Sequence, residues 1–142
     1  MTIHCFKADA EHWPRVKHFH KKHQLSQPLR EDALWVIAEN ETWLGVARFV
    51  AIDDHQAWWL RGLLIQPQYR HQGLASRLLQ QALTQHPHCT AFAMPHLDDF
   101  YQQLGFKAVS PAALADQLQT LFTTYQQQKP TLHVYQHTKP EA

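Results

Sequence analysis

The sequence predicts a single α/β domain, residues 1–142, built on a mixed, mostly antiparallel sheet that is flanked by helices. Apolar segments of strand length alternate with segments whose apolar residues recur at helical spacing. Three consecutive strand segments are separated only by short turns, which is typical of an antiparallel meander. A chain of 142 residues is long enough for one core that buries roughly two-thirds of the surface of the unfolded chain.

The N-terminal half begins with a strand and a helix. Residues 2–6 alternate as a strand does, and Asp9 is a suitable N-cap for the helix that follows. The predicted inward side of this helix consists of Trp13, Val16 and Phe19. The strands of the meander are predicted at 33–38, 42–53 and 58–65. Turns around Asn40 and at 53–56 would join them into antiparallel hairpins.

The second half alternates helices and strands. A helix beginning near Gln72 would bury one stripe made of Leu74, Leu78, Leu79, Ala82 and Leu83. The predicted elements after it are a strand at 90–94, a short helix at 97–104, a strand at 106–109, a helix at 111–127 and a last strand at 131–137. Ser110 as N-cap and Pro111 at the first helical position mark the start of the helix at 111–127.

The segment from Leu60 to Ala75 joins a strand to a helix through a loop with the pattern RxxGxA, which begins at Arg70. Helix N-termini leave backbone N–H groups unpaired, and these groups bind anions well. Gly73 would let the backbone approach such a ligand closely. The segment therefore predicts a phosphate-binding loop, although RxxGxA alone also fits an ordinary strand-to-helix turn.

A second segment, Phe100-Tyr101-Gln102-Gln103-Leu104-Gly105-Phe106, reads as a short helix that glycine ends before a strand. In this order and at this separation, the two segments resemble the GNAT superfamily of acetyl-CoA-dependent N-acyltransferases. The resemblance extends over most of the chain and implies that superfamily's fold, with acetyl-CoA as cosubstrate. The helix at 111–127 looks like an addition to the fold: it would cover the sheet, or else serve as a lid or a homodimer interface.

The resemblance also implies roles for individual residues. The pantetheine arm of coenzyme A would lie along Leu63, Leu64 and Ile65, and a backbone N–H near Leu64 would stabilise the oxyanion. The pyrophosphate would bind the loop residues Arg70, His71, Gln72, Gly73, Leu74 and Ala75. Tyr101 would protonate the sulfur of coenzyme A. The alternative for Tyr101 is a packing role.

The chain departs from the superfamily pattern in two places. Met94 and Pro95 stand where many members carry an asparagine that contacts coenzyme A. A strand carboxylate that often serves as base is also missing, since Arg61, Gly62 and Cys89 occupy its usual positions. The sequence therefore names no base. Two explanations are left open: the amine arrives neutral, or a water relay carries its proton to a histidine or a carboxylate. The carboxylates considered are Glu31, Asp32, Asp98 and Asp99.

A symmetric hairpin centred on residues 54 and 55 would place Arg48 opposite Arg61. It would also pair Val46 with Leu63 and Val50 with Trp59. Two arginines directly opposite each other are destabilising unless an anion lies between them. The anion would be Asp32 on the neighbouring strand or an acidic group of the acceptor, so Arg48 and Arg61 are candidate substrate-binding residues.

Composition restricts the partners. A net charge of +1 gives no reason to expect nucleic acid or an anionic membrane. Two cysteines are too few for a disulfide framework, and no apolar run is long enough to cross a membrane, so we expect a cytoplasmic protein. The 12 histidines are scattered without a recognised zinc spacing, so we expect no metal site.

The sequence thus predicts an N-acetyltransferase that transfers acetyl from acetyl-CoA to a primary amine of a small molecule or peptide. The first alternative is a module of the same fold that binds coenzyme A with little catalysis, because the base and the asparagine are missing. The second is a metal-binding protein that uses its histidines.

Overall fold

The computed structural model describes residues 2–138 and confirms the mixed, mostly antiparallel sheet. The strands are β1 (Ile3–Lys7), β2 (Ala33–Glu39), β3 (Thr42–Ile52), β4 (Ala57–Ile65), β5 (Cys89–Ala93), β6 (Lys107–Val109) and β7 (His133–His137). Their order in the sheet is β1-β2-β3-β4-β5-β7-β6. Among residues 2–138, only β4 and β5 pair in parallel. Strand β7, the last of the described strands, inserts between β5 and β6.

The helices are α1 (Trp13–Lys22), α2 (Leu74–Leu83), α3 (Asp98–Gln103) and α4 (Asp116–Gln128). Asp9 accepts a hydrogen bond from the Glu11 N–H, as a cap does, but the turn that it caps is a 3₁₀ turn leading into α1. Ser110 likewise caps a 3₁₀ turn, at Pro111–Ala113. The helix predicted to start at 111 begins at Asp116, because the chain is extended at Leu114, whose side chain is buried in the core.

Helices cover both faces of the sheet. Alternate residues of β2 show this arrangement: Trp35 packs in a cluster with α2 and α3, whereas Val36 packs against α1. Helix α4 lies on the same face as α1, further along the sheet, where Phe122 packs with Trp59 of β4. Because both faces are covered, β2 is apolar and buried from Ala33 to Ala38.

A β-bulge interrupts the ladder between β3 and β4. Arg48 lies opposite Gly62 and Phe49 lies opposite Leu60, which leaves Arg61 without a partner. The expected pair of Arg48 with Arg61 is therefore wrong. So is the pair of Val46 with Leu63, since Val46 lies opposite Leu64; the pair of Val50 with Trp59 is confirmed. The symmetric hairpin assumed an uninterrupted ladder, and the extra residue shifts the register by one.

The bulge also inverts the alternation of β4. Leu60 before the bulge and Leu63 after it both pack in the cluster that contains α2, although their numbers differ in parity. Trp59 and Leu64 face the opposite side. The bulge thus lets β4 bury apolar side chains on both faces and places Arg61 on the same face as Trp59, with its guanidinium 5.8 Å from the ring centroid.

A buried histidine stabilises the junction between α2 and β2. Trp35 Nε1 donates to His86 Nε2 at 2.9 Å, and the imidazole stacks on Phe49 at 5.0 Å between ring centroids. Burial, with a smaller effect of the Lys7 charge, lowers the pKa of His86 to about 4. The side chain is therefore neutral in the folded protein at physiological pH, with its acceptor nitrogen turned to the indole.

The low pKa of His86 makes stability depend on pH. Below 6.5, the ordinary pKa of histidine, the unfolded chain takes up a proton that folded His86 does not accept until about pH 4. Stability is therefore full above pH 6.5 and falls as the pH drops toward 4. We expect the free energy of unfolding to fall about 2 kcal/mol more between pH 7 and pH 5 in the parent than in His86→Gln, whose amide oxygen still accepts from Trp35. Urea unfolding at both pH values measures this difference, and equal losses would contradict it.

Candidate functional site

The strands β4 and β5 separate half-way along their length. Only residues 58–60 of β4 pair with β5, and β4 then continues to Ile65 with no partner strand on that side among residues 2–138. A cleft of about 660 Å³ opens at this point. Its walls are residues 60–65 of β4, the start of α2, the end of β5 and α3. The edge of β4 is thus accessible in the middle of the sheet.

The loop that follows β4 forms one end of this cleft. His71 and Gly73 both adopt left-handed backbone conformations, with φ of 67° and 76°. Arg70 Nε donates to the carbonyl of Ile65 at 2.8 Å and so holds the loop against the end of the strand. A Cβ on Gly73 would meet no protein atom within 4 Å. The positive φ is therefore in itself a reason for glycine at this position. The close approach of the Gly73 backbone to a ligand stays a prediction.

This loop presents an unbroken series of free amides. Within residues 2–138, none of the six backbone N–H groups from His71 to Ser76 donates to a protein acceptor. The first helical hydrogen bond of α2 runs from the Arg77 N–H to the Gly73 carbonyl at 3.1 Å. Six free amides at the positive end of a helix dipole form a site for an anion such as a pyrophosphate. We call residues 71–76 the amide cradle.

Most of the predicted site residues lie together in this cleft. They are Leu63, Leu64, Ile65, Arg70, His71, Gly73, Leu74, Ala75 and Tyr101. Gln72 is exposed and does not line the cleft, although its N–H belongs to the amide cradle. Sequence reasoning did not assign Ser76, which lies in the first turn of α2. Its position directly after the predicted loop was the available signal.

Tyr101 projects from α3 to the cleft. Gly105, with φ of 95°, ends this short helix as predicted. The Tyr101 ring stacks on Tyr135 with 5.2 Å between centroids and an interplanar angle of 14°. Burial, with a smaller contribution from Cys89, raises the pKa of Tyr101 to about 12. The hydroxyl therefore keeps its proton at neutral pH and can donate it or a hydrogen bond to a group in the cleft.

A second, smaller pocket of about 180 Å³ lies on the opposite face of β4, between α1 and α4. It is lined by His20, Leu25, Ser26, Val46, Arg48, Tyr125 and residues 61–64. We call it the side pocket. Residues 61–64 line the cleft as well, so the two cavities share one stretch of β4. Sequence reasoning missed His20, Ser26 and Tyr125, because the side pocket joins segments that are distant in the chain.

The two arginines of the side pocket differ in their partners. Arg48 is buried, and its Nε donates to Asp32 Oδ2 at 2.7 Å. Asp32 also accepts from the Leu29 N–H at 2.8 Å. The expected carboxylate is therefore Asp32, paired with Arg48 alone. Arg61 is exposed, and among the described residues it forms no ion pair.

The carboxylates considered as bases do not form the walls of either cavity. Glu31, Asp32, Asp98 and Asp99 line neither the cleft nor the side pocket. Asp98 is 3.7 Å from the Nδ1 atom of His133, at the start of α3. Within residues 2–138, no three His, Cys, Asp or Glu side chains are grouped so that they could hold a metal ion. In the same part of the chain, no helix is both long and apolar enough to cross a bilayer.

A family model described as an acetyltransferase (GNAT) domain matches residues 30–108, more than half of the chain. The chain belongs to the GNAT acetyltransferase family. The matched region contains the meander, the amide cradle and the helix that carries Tyr101. A comparison with curated proteins found no match.

Solved structures of low sequence identity share the GNAT fold. One is N-acetylglutamate synthase from Neisseria gonorrhoeae complexed with coenzyme A and N-acetyl-glutamate, with a TM-score of 0.67, 14% identity, and coverage of 98% of this chain and 36% of that chain. The present chain thus spans about a third of the synthase. Another is an acetyltransferase from Thermus thermophilus, with a TM-score of 0.59, 16% identity, and coverage of 96% and 97%. A third is a GNAT family acetyltransferase from Elizabethkingia anophelis with acetyl-CoA bound, with a TM-score of 0.56, 12% identity, and coverage of 76% and 78%.

Proposed function

We propose that this chain is an N-acetyltransferase that moves the acetyl group of acetyl-CoA to a primary amine of a small molecule or peptide. The observation that carries the proposal is the cleft between β4 and β5, which has the amide cradle at one end and Tyr101 on its wall. GNAT proteins of the same fold hold coenzyme A or acetyl-CoA. We propose that residues 1–142 act as one domain, in the reducing cytoplasm, where the free thiols of Cys5 and Cys89 are stable.

In this proposal, the amide cradle binds the pyrophosphate of acetyl-CoA and the pantetheine arm lies along the free edge of β4. Leu63, Leu64 and Ile65 form that edge, and a backbone N–H near Leu64 would stabilise the oxyanion. Met94 lines the cleft where many family members have an asparagine. We infer that a backbone group replaces the contact of that asparagine.

The acceptor amine would enter through the side pocket, because residues 61–64 line both this pocket and the cleft. Arg61 is exposed, and Arg48 uses only its Nε atom for Asp32, leaving both Nη groups without a partner among residues 2–138. Guanidinium N–H groups bind carboxylates well. An acidic group on the acceptor would therefore be recognised here.

A screen of acceptors tests the proposed activity. Release of free thiol from acetyl-CoA is followed over amines, amino acids, polyamines and peptide N-termini, with mass spectrometry of the acetylated product. We expect turnover with at least one primary amine, faster than with its N-methylated form. Binding of acetyl-CoA without turnover on any acceptor would favour a coenzyme A-binding module instead.

The amide cradle makes a separate prediction about Gly73. A ligand present at 100 times its dissociation constant stabilises the folded protein by about 2.7 kcal/mol. Acetyl-CoA should raise the melting temperature of the parent accordingly, and Gly73→Val should lose most of this shift, because a β-branched residue does not tolerate the positive φ of this loop.

Gly73→Asn is the matched control, since asparagine adopts left-handed conformations more readily. We expect it to keep more of the acetyl-CoA shift than Gly73→Val does. Melts without ligand separate a loss of folding from a loss of binding. An undiminished shift in Gly73→Val would contradict the assignment of the cradle.

A further inference from the structure

His20 is a buried histidine of α1 whose two ring nitrogens have different surroundings. Nδ1 lies 2.9 Å from the carbonyl of Val16, one helical turn earlier. A carbonyl only accepts, so Nδ1 carries the proton and Nε2 has a free lone pair. Nε2 has no hydrogen-bond partner among residues 2–138, and it is not sealed from solvent as the Nε2 of His23 is. The side pocket is the cavity that His20 lines.

The fold places His20 and Tyr101 on opposite faces of the sheet. Tyr101 belongs to the cluster on the face of the sheet that α2 and α3 cover. His20 lies on the face that α1 and α4 cover, and residues 61–64 of β4 line both cavities. An acetyl group held at the free edge of β4 would therefore have a proton donor on one side and a proton acceptor on the other. No carboxylate lines the side pocket in the described part of the chain.

We infer that His20 is the general base of the proposed acetyl transfer, taking the amine proton at Nε2 from an acceptor bound in the side pocket. The amine nitrogen forms a bond to the acetyl carbonyl carbon and gives one N–H proton to Nε2. The C–S bond then breaks, and the sulfur takes a proton from the hydroxyl of Tyr101. His20 releases its proton to solvent and Tyr101 regains one, so the products are the amide and the free thiol of coenzyme A. The inference rests on the proposed function.

The surroundings of His20 keep its imidazole neutral, which is the form that can accept a proton. Burial lowers its pKa below the ordinary value of 6.5, the hydrogen bond to the Val16 carbonyl opposes this effect, and the charges of Arg48 and His23 add to it. The other charged or titratable groups around the side pocket are Arg61 and Tyr125 from β4 and α4, and Asp32, which is paired with Arg48. The positive charges of this set favour a neutral imidazole and disfavour an ammonium ion beside it.

The test is His20→Asn, in which the amide nitrogen can still donate to the Val16 carbonyl but no base is left. We expect kcat to fall roughly 10²-fold. The acetyl-CoA melting shift should be unchanged, because His20 does not line the cleft. In the parent, kcat at saturating substrates should fall with pH below a pKa under 6.5, and this fall should be absent in His20→Asn.

His23→Gln is the matched control. His23 follows His20 by about one turn, at the C-terminal end of α1, and it does not line the side pocket. It should keep both kcat and the acid limb. His20→Gln replaces His20→Asn if circular dichroism shows that the latter does not fold. Turnover within twofold of the parent, or an acid limb that His20→Asn retains, would overturn the role of His20 while leaving the acetyltransferase proposal intact. A parent that acetylates no amine would overturn both.

Discussion

Tyr101→Phe should lower kcat roughly 100-fold with the best acceptor, because the ring remains but the proton donor for the sulfur is lost. The ring contributes to packing through Tyr135 and Phe106, at 5.2 Å from each, and phenylalanine preserves these contacts. Acetyl-CoA affinity and the melting temperature should therefore change little. Steady-state kinetics with acetyl-CoA at saturation, together with ligand-dependent melts, measure the two effects separately.

Tyr135→Phe is the control for this experiment. Tyr135 is fully buried, stacks on Tyr101 and does not line the cleft, so the loss of its hydroxyl should leave kcat close to that of the parent. Because the pKa of Tyr101 is raised to about 12, its titration should not limit kcat below pH 10. If Tyr101→Phe retained turnover within about twofold, Tyr101 would be a packing residue, and a coenzyme A-binding module would become the better description.

The segment from strand to amide cradle could be predicted because its signals are local. A strand, a loop with glycine and a helical stripe follow each other within residues 60–83. The same holds for Gly105, whose place after a short helix indicates a left-handed cap. The start of α4 could not be predicted in the same way. Ser110 caps a 3₁₀ turn and not the helix itself. The chain is then extended at the buried Leu114, so the helix begins only after this residue.

The register of β4 could not be inferred from the sequence for a different reason. A strand with one buried face shows its register by alternation, and a shift by one residue exposes the apolar set. Both faces of β4 contact apolar clusters, so the bulge at Arg61 leaves no visible change in the pattern. Arg61 and Gly62, at this bulge, line the side pocket. His20, Arg48 and Tyr125 also come from three distant segments, and no short spacing connects them.

Arg48→Met should reduce the free energy of unfolding by about 3 to 5 kcal/mol, because it leaves the carboxylate of Asp32 buried without its charge partner. The Asp32 side chain is only 1% exposed, and its Oδ1 already has no hydrogen-bond partner within residues 2–138. Urea unfolding at pH 7 measures the loss. Adding Asp32→Asn to Arg48→Met should recover much of it, since the amide carries no charge and can still accept from the Leu29 N–H.

Arg61→Met separates stability from acceptor recognition. Arg61 is exposed at the bulge, so its replacement should change the free energy of unfolding by less than about 0.5 kcal/mol. If the side pocket recognises an acidic group, Arg61→Met should raise KM for an amine that bears a carboxylate far more than for its neutral amide analogue. Equal effects on the two acceptors would contradict recognition of an acceptor carboxylate by Arg61, and a large stability loss in Arg48→Met would show that Arg48 serves Asp32.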